Sequence, residues 1–70
     1  MVMEGTVVRK IRGEKYELRD STGTVTAEID DDKWPGGQPI IGARVRLYGE
    51  VEKAFLSGKI EIDVDRVEPL

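Results

Sequence analysis

Thr24-Val25-Thr26-Ala27-Glu28-Ile29-Asp30 alternates strictly between polar and apolar residues. A strand places successive side chains on opposite faces. Val25, Ala27 and Ile29 therefore share one face, and Thr24, Thr26 and Glu28 the other. The same period recurs on both sides of this stretch. Lys15-Tyr16-Glu17-Leu18-Arg19 precedes it, and Arg44 to Glu52 follows, turning Val45, Leu47, Gly49 and Val51 inward. Lys59 to Asp65 repeats the pattern with Ile60, Ile62 and Val64. Four amphipathic strands are predicted from these runs.

A fifth, earlier strand spans Met3 to Arg12, where the alternation slips at Val7-Val8. One extra residue re-aims the side chains after it, so a β-bulge is expected there. A long, bent first strand that serves two sheets is what a small closed barrel requires. Gly5 is expected where that strand coils most sharply.

The connections punctuate this pattern. Arg12-Gly13-Glu14 reads as a tight turn, and Asp20-Ser21-Thr22-Gly23 as a hairpin with Asp and Gly at their favoured positions. From Asp31 to Ala43 the alternation stops. Asp31-Asp32-Lys33-Trp34 suits one helical turn with an acidic N-terminus, ended by Pro35-Gly36-Gly37. Ala54-Phe55-Leu56-Ser57-Gly58 is a loop with an apolar tip. The fold expected is all-β: a five-stranded Greek-key OB-fold barrel with one short helical turn between strands three and four. An SH3-like barrel is the nearest competitor, but its helical turn joins the last strands.

Composition narrows the function classes. The 70 residues make one domain, 1–70, with 11 Lys and Arg against 14 Asp and Glu, a net charge of −3, and no His or Cys. Without cysteine there is no disulfide framework and no thiol nucleophile. Without histidine, the commonest general base near neutral pH is missing, and the serine, threonine and tyrosine hydroxyls lack an activator. No enzyme activity and no cofactor are expected. The acidic balance argues against a general polyanion binder. No run approaches the ~18 apolar residues of a membrane span, and Met1 to Gly5 has neither the basic region nor the apolar stretch of a secretory signal. A monomer that does not insert into membranes is expected.

Tyr16 to Gly23, then Glu28-Ile29-Asp30, Trp34, Gly49 to Lys53 and Glu61 to Val64 form a set in fixed order. Together they resemble the bacterial OB-fold family of YgiW and YdeI stress proteins, over about Gly5 to Val67. The resemblance implies a small, non-enzymatic binding module, exported to the periplasm and tied to stress tolerance. It implies a partner that is a small molecule, an envelope component or a protein. A consensus or designed barrel without a native ligand is a separate reading of the same pattern.

OB-folds bind extended ligands on the face of strands two and three, framed by the loop between strands four and five. By parity, Lys15, Glu17, Arg19, Thr24, Thr26 and Glu28 face outward there. Arg12 lies at the first turn, and Lys53, Phe55 and Leu56 at the framing loop. A single-stranded nucleic-acid groove would use Arg9, Lys10, Arg12, Lys15 and Arg19 with Phe55 for stacking, but strands two and three offer no outward aromatic. A solvated wall of mixed charge is the favoured reading of this face.

Trp34 is expected to plug the barrel rather than stack on a ligand, and Tyr48 to pack outward beside Arg46. Phe55 either reaches a ligand or folds back as a cap. Asp30-Asp31-Asp32 lacks the alternate carboxylate spacing of a calcium loop, so helix capping and solvation are expected and no metal site. Glu61, Asp63 and Asp65 are expected to form an acidic stripe opposite the basic cluster.

Overall fold

The computed structural model describes residues 1–53 and 58–70. Phe55 and Leu56 lie outside the described residues. Five strands form, at Val2–Arg12 (β1), Lys15–Asp20 (β2), Gly23–Glu28 (β3), Arg44–Lys53 (β4) and Ile60–Pro69 (β5). They close into a barrel in the order β1-β2-β3-β5-β4, with β4 returning to β1. All pairings are antiparallel except β3 with β5. Closure leaves the body of the barrel without an open sheet edge.

β1 reaches two neighbours because it bends. Val2 to Thr6 pair with β4, and Thr6 to Arg12 pair with β2. The register slips between Val7 and Arg9, which places the expected bulge at Val8, and again between Lys10 and Arg12. Gly5 sits at the handover. A Cβ there would stand 2.7 Å from the Arg19 carbonyl oxygen, so only glycine lets β1 and β2 close at this corner. The β2–β3 hairpin is tied by Asp20, whose Oδ1 accepts the Thr22 amide at 2.8 Å and its hydroxyl at 2.6 Å. That is an Asx-type turn. Both bonds hold the Asp20 carboxyl below its ordinary pKa, the hydroxyl contributing most.

Among the described residues the buried side chains are apolar apart from the Tyr16 hydroxyl and the Trp34 indole nitrogen. Val7, Tyr16, Leu18, Ala27, Ile29, Val45 and Leu47 are fully buried, with Trp34, Ile62, Val64 and Val67 nearly so. Among the described residues no charged side chain is buried. Trp34 does plug the barrel. It is 2% exposed, and its ring meets Tyr16 edge-on at 5.0 Å and 75°, an arrangement the aromatic quadrupoles favour. Tyr16 Oη and Trp34 Nε1 are buried without a hydrogen-bond partner among the described residues.

Three expectations need correction. The segment after β3 contains two 3-10 turns, Asp31–Lys33 and Pro35–Gly37, rather than one. Pro35 opens the second instead of only ending the first, because its fixed φ suits a first helical position, and Gly36 accepts φ 73° inside it. Asp30 stands at the N-cap in an extended conformation, but its side chain makes no capping bond. Glu14, from the β1–β2 turn, caps in its place: its Oε2 accepts the Asp31 amide at 3.1 Å and its carbonyl accepts the Ile29 amide at 2.8 Å.

Val51 and Ile60 are exposed, at 56% and 60%, rather than core. β1 accompanies β4 only to Tyr48, and β3 accompanies β5 only from Glu61. The hairpin therefore runs beyond the closed wall, and its inward parity faces solvent. Val67 also joins the core, although it falls out of step with Val64. A register shift opposite Tyr48 and Gly49 leaves Asp65 as the extra residue.

Candidate ligand-binding groove

Residues of four strands meet in a shallow groove of about 840 Å³. The end of β1 supplies Arg9, Ile11 and Arg12; β2 supplies Lys15 and Glu17; β3 supplies Thr24, Val25 and Thr26. The fourth side is Lys59 with Ile60 and Glu61 at the start of β5. The parallel β3–β5 pairing brings this last group in, since it sets Thr26 beside Glu61. On the other side Thr26 pairs with Glu17, and Glu17 with Arg9.

Arg9 Nε donates to Glu17 Oε1 at 3.0 Å, and Lys15 Nζ to the Glu61 carboxylate at 3.1 Å. Two of the groove's cations are therefore held by its two carboxylates. Such pairs, partly open to water, contribute little to stability, but they set the charge a ligand meets. Ile11, Val25 and Ile60 supply apolar surface between them.

The residues singled out from sequence divide. Arg12, Lys15, Glu17, Thr24 and Thr26 line the groove. Glu28 points outward on the same face, between Lys15 and Asp63, beyond the lining. Arg19 belongs to a separate concavity at the other end of β2. Lys53 is exposed at the end of β4, paired with Ile60. The expected Phe55-Leu56 contribution lies outside the described residues.

Glu61 overturns the expectation of an acidic stripe opposite the basic cluster: it sits in the groove, bonded to Lys15. Parity assigned it a face correctly, but strand order decides which residues share that face. Arg9 was legible as part of the basic cluster, whereas Ile11 and Ile60 were hidden by their apolar character. Tyr48 does pack outward on the opposite wall. Its hydroxyl donates to Glu68 and its ring lies 5.4 Å from the Arg66 guanidinium. The Tyr48 hydroxyl is the main cause of the lowered Glu68 pKa.

Among the described residues no three carboxylate, His or Cys side chains converge as a metal site, and no helix is long and apolar enough to cross a membrane.

The chain is similar to several proteins. It is 46% identical over 68 residues to the calcium-regulated OB-fold protein CarO of Pseudomonas aeruginosa, covering 97% of this chain and 57% of that protein. It is 31% identical over 67 residues to YgiW of Escherichia coli K12, covering 96% and 50%. The chain thus spans about half the length of these relatives. The solved structure of the hypothetical protein YgiW from E. coli superposes with a TM-score of 0.86 at 28% identity, over 99% of this chain and 72% of that one. Residues 1–69 match the sequence profile of the bacterial OB fold proteins, and the chain belongs to that family, BOF.

Proposed function

We propose that this domain is a non-catalytic binding module that seats a ligand across the β1–β2–β3–β5 groove. The observation that carries the reading is the internal pairing of Arg9 with Glu17 and Lys15 with Glu61. A polyanion groove presents cations that only the ligand satisfies. Here two carboxylates stand in the middle of the surface and would face a nucleic-acid backbone. A ligand with polar groups of both signs, or uncharged, and an apolar portion for Ile11 and Ile60 suits this layout. A small molecule, an envelope fragment or a protein segment fits that description better than single-stranded nucleic acid. No aromatic residue among the described ones lines the groove for base stacking. Export to the periplasm belongs to the same proposal and rests on the family resemblance.

The relative CarO is named for regulation by calcium. For the present chain we carry over the module and leave the calcium dependence to that protein.

The test is an amide chemical-shift titration of labelled protein against two probes: a panel of soluble cell-envelope fragments and a mixed-sequence single-stranded oligonucleotide. Localised shifts at Arg9, Lys15, Thr26 and Glu61 with an envelope fragment, weakly dependent on salt, are the expected result. Shifts there with the oligonucleotide that vanish as salt rises would overturn the reading in favour of a nucleic-acid groove.

A further inference from the structure

The strand registers sort the outward side chains of the wall into rows. One row runs Arg9, Glu17, Thr26, Glu61 and the next Arg12, Lys15, Glu28, Asp63. Each contains carboxylates beside its cations. The row at the β1 handover differs. Arg44 of β4 pairs with Thr6, Thr6 pairs with Arg19 of β2, and Arg19 pairs with Thr24. This row has two guanidinium groups and two hydroxyls, and no carboxylate.

It opens onto a concavity of about 520 Å³ that includes Thr6, Arg19, Arg44 and, from the β2–β3 turn, Ser21. Two carboxylates border the concavity, and both are engaged elsewhere. Glu4 accepts Arg46 Nε at 2.9 Å and Nη2 at 2.7 Å. Asp20 accepts the Thr22 amide and hydroxyl. Among the described residues the Arg19 and Arg44 side chains have no hydrogen bond or ion pair. Neighbouring strands lie ~4.8 Å apart, so these arginines flank Thr6 closely enough for both guanidinium groups to reach one ligand above it.

We propose that Arg19, Thr6 and Arg44 form a binding site for a single phosphate group, separate from the β1–β2–β3–β5 groove and independent of what that groove binds. Two guanidinium forks and the hydroxyls of Thr6 and Ser21 present more donors than the two oxygens of a carboxylate can accept. A tetrahedral phosphate has enough oxygens to accept from both forks and a hydroxyl together. The bordering Glu4 and Asp20 oppose any continuation of negative charge to either side. The site therefore takes one compact anionic group and excludes a polyphosphate or nucleic-acid backbone.

The experiment is a titration of labelled protein with inorganic phosphate at constant ionic strength, followed by the Thr6 and Ser21 amides and the Arg19 and Arg44 Nε signals. Glycerol phosphate is run in parallel, with acetate as the carboxylate control. Saturable shifts with phosphate are expected, with acetate much weaker. Arg19→Gln and Arg44→Gln should each weaken binding about tenfold, the ratio one charge-assisted hydrogen bond supplies. Lys33→Gln removes the same charge at the plugged end and should leave binding unchanged. Saturation by glycerol phosphate as well supports a phosphate carried on a larger ligand, and saturation by the free ion alone supports inorganic phosphate. Shifts that rise linearly without saturating, acetate binding as tightly as phosphate, or equal weakening by Lys33→Gln would overturn the site.

Discussion

The two faces of β2 and β3 come from the same dozen residues and obey different physics. Inward, Tyr16, Leu18 and Ala27 are fully buried with Trp34 against them, and no charge enters. Outward, Lys15, Glu17, Thr24 and Thr26 line an open groove in which Lys15 pairs with Glu61 and Glu17 with Arg9. The inner face holds the fold, because apolar area removed from water is the main stabilising term. The outer face holds the chemistry, because ion pairs in water contribute little to folding. Stability and recognition are thus separable by substitution, residue against adjacent residue.

The largest effect that would break this separation is expected at Trp34. In so small a domain, one buried indole is a large share of the core. Trp34→Ala should cost about 3–5 kcal/mol, enough to leave the chain largely unfolded at 37 °C by circular dichroism. A cooperative transition near that of the parent would mean that the barrel is sealed by something other than this ring. Next comes Gly49, where a Cβ would lie 2.1 Å from the Asp63 carbonyl oxygen. That atom is backbone, so the β4–β5 pairing itself must shift. Gly49→Ala should cost about 1–3 kcal/mol or more, read from denaturant midpoints, even though it adds only a methyl group. An unchanged midpoint would show that β5 can move away without loss.

The contrast also explains what could be read in the sequence. Alternation reports which face a residue takes, and on that basis the strands, the Val8 bulge and the Trp34 plug were legible. It does not report where a neighbouring strand ends. Val51 and Ile60 have inward parity but lie where β4 and β5 outrun their partners, so parity predicted a burial that the barrel does not provide. Nor does it report pairing between distant segments. Glu61 reaches Lys15, 46 residues away, only through the parallel β3–β5 contact. Arg44 and Arg19 share a row only because Thr6 pairs with both. The candidate site was therefore half legible: the outward residues of β2 and β3 and the arginines at the end of β1 could be read from the sequence, while Ile11 and the β5 residues came in through topology.

A smaller effect sharpens the comparison from the outer face. Lys15 and Glu61 form a pair that is partly open to water, with side chains 33% and 23% exposed. In a double-mutant cycle of Lys15→Gln and Glu61→Gln, the coupling energy should fall at about 0.2–1 kcal/mol and shrink with added salt. Each single variant should nevertheless change what the groove binds, because it leaves one unpaired charge of opposite sign. A coupling well above this range would show that the groove helps to hold the barrel together, and the two faces would no longer be independent.

The smallest expected effect concerns the sign of a change inside the core. Tyr16 Oη is buried with no partner among the described residues. An unsatisfied buried hydroxyl is destabilising, and removing it removes that cost. Tyr16→Phe keeps the ring that meets Trp34 edge-on and deletes only the oxygen. The variant should therefore be as stable as the parent or more so, by up to about 1 kcal/mol. Tyr16→Leu, by contrast, also loses the aromatic contact and should be destabilised by about 0.5–1.5 kcal/mol from that pair alone. Thermal melts of the two variants beside the parent separate the ring from its hydroxyl. If Tyr16→Phe were the less stable protein, the hydroxyl would have a partner such as an internal water shared with Trp34 Nε1. The plugged end would then be a polar joint within an apolar core, and the division between the two faces would fail at the residue where it looks most complete.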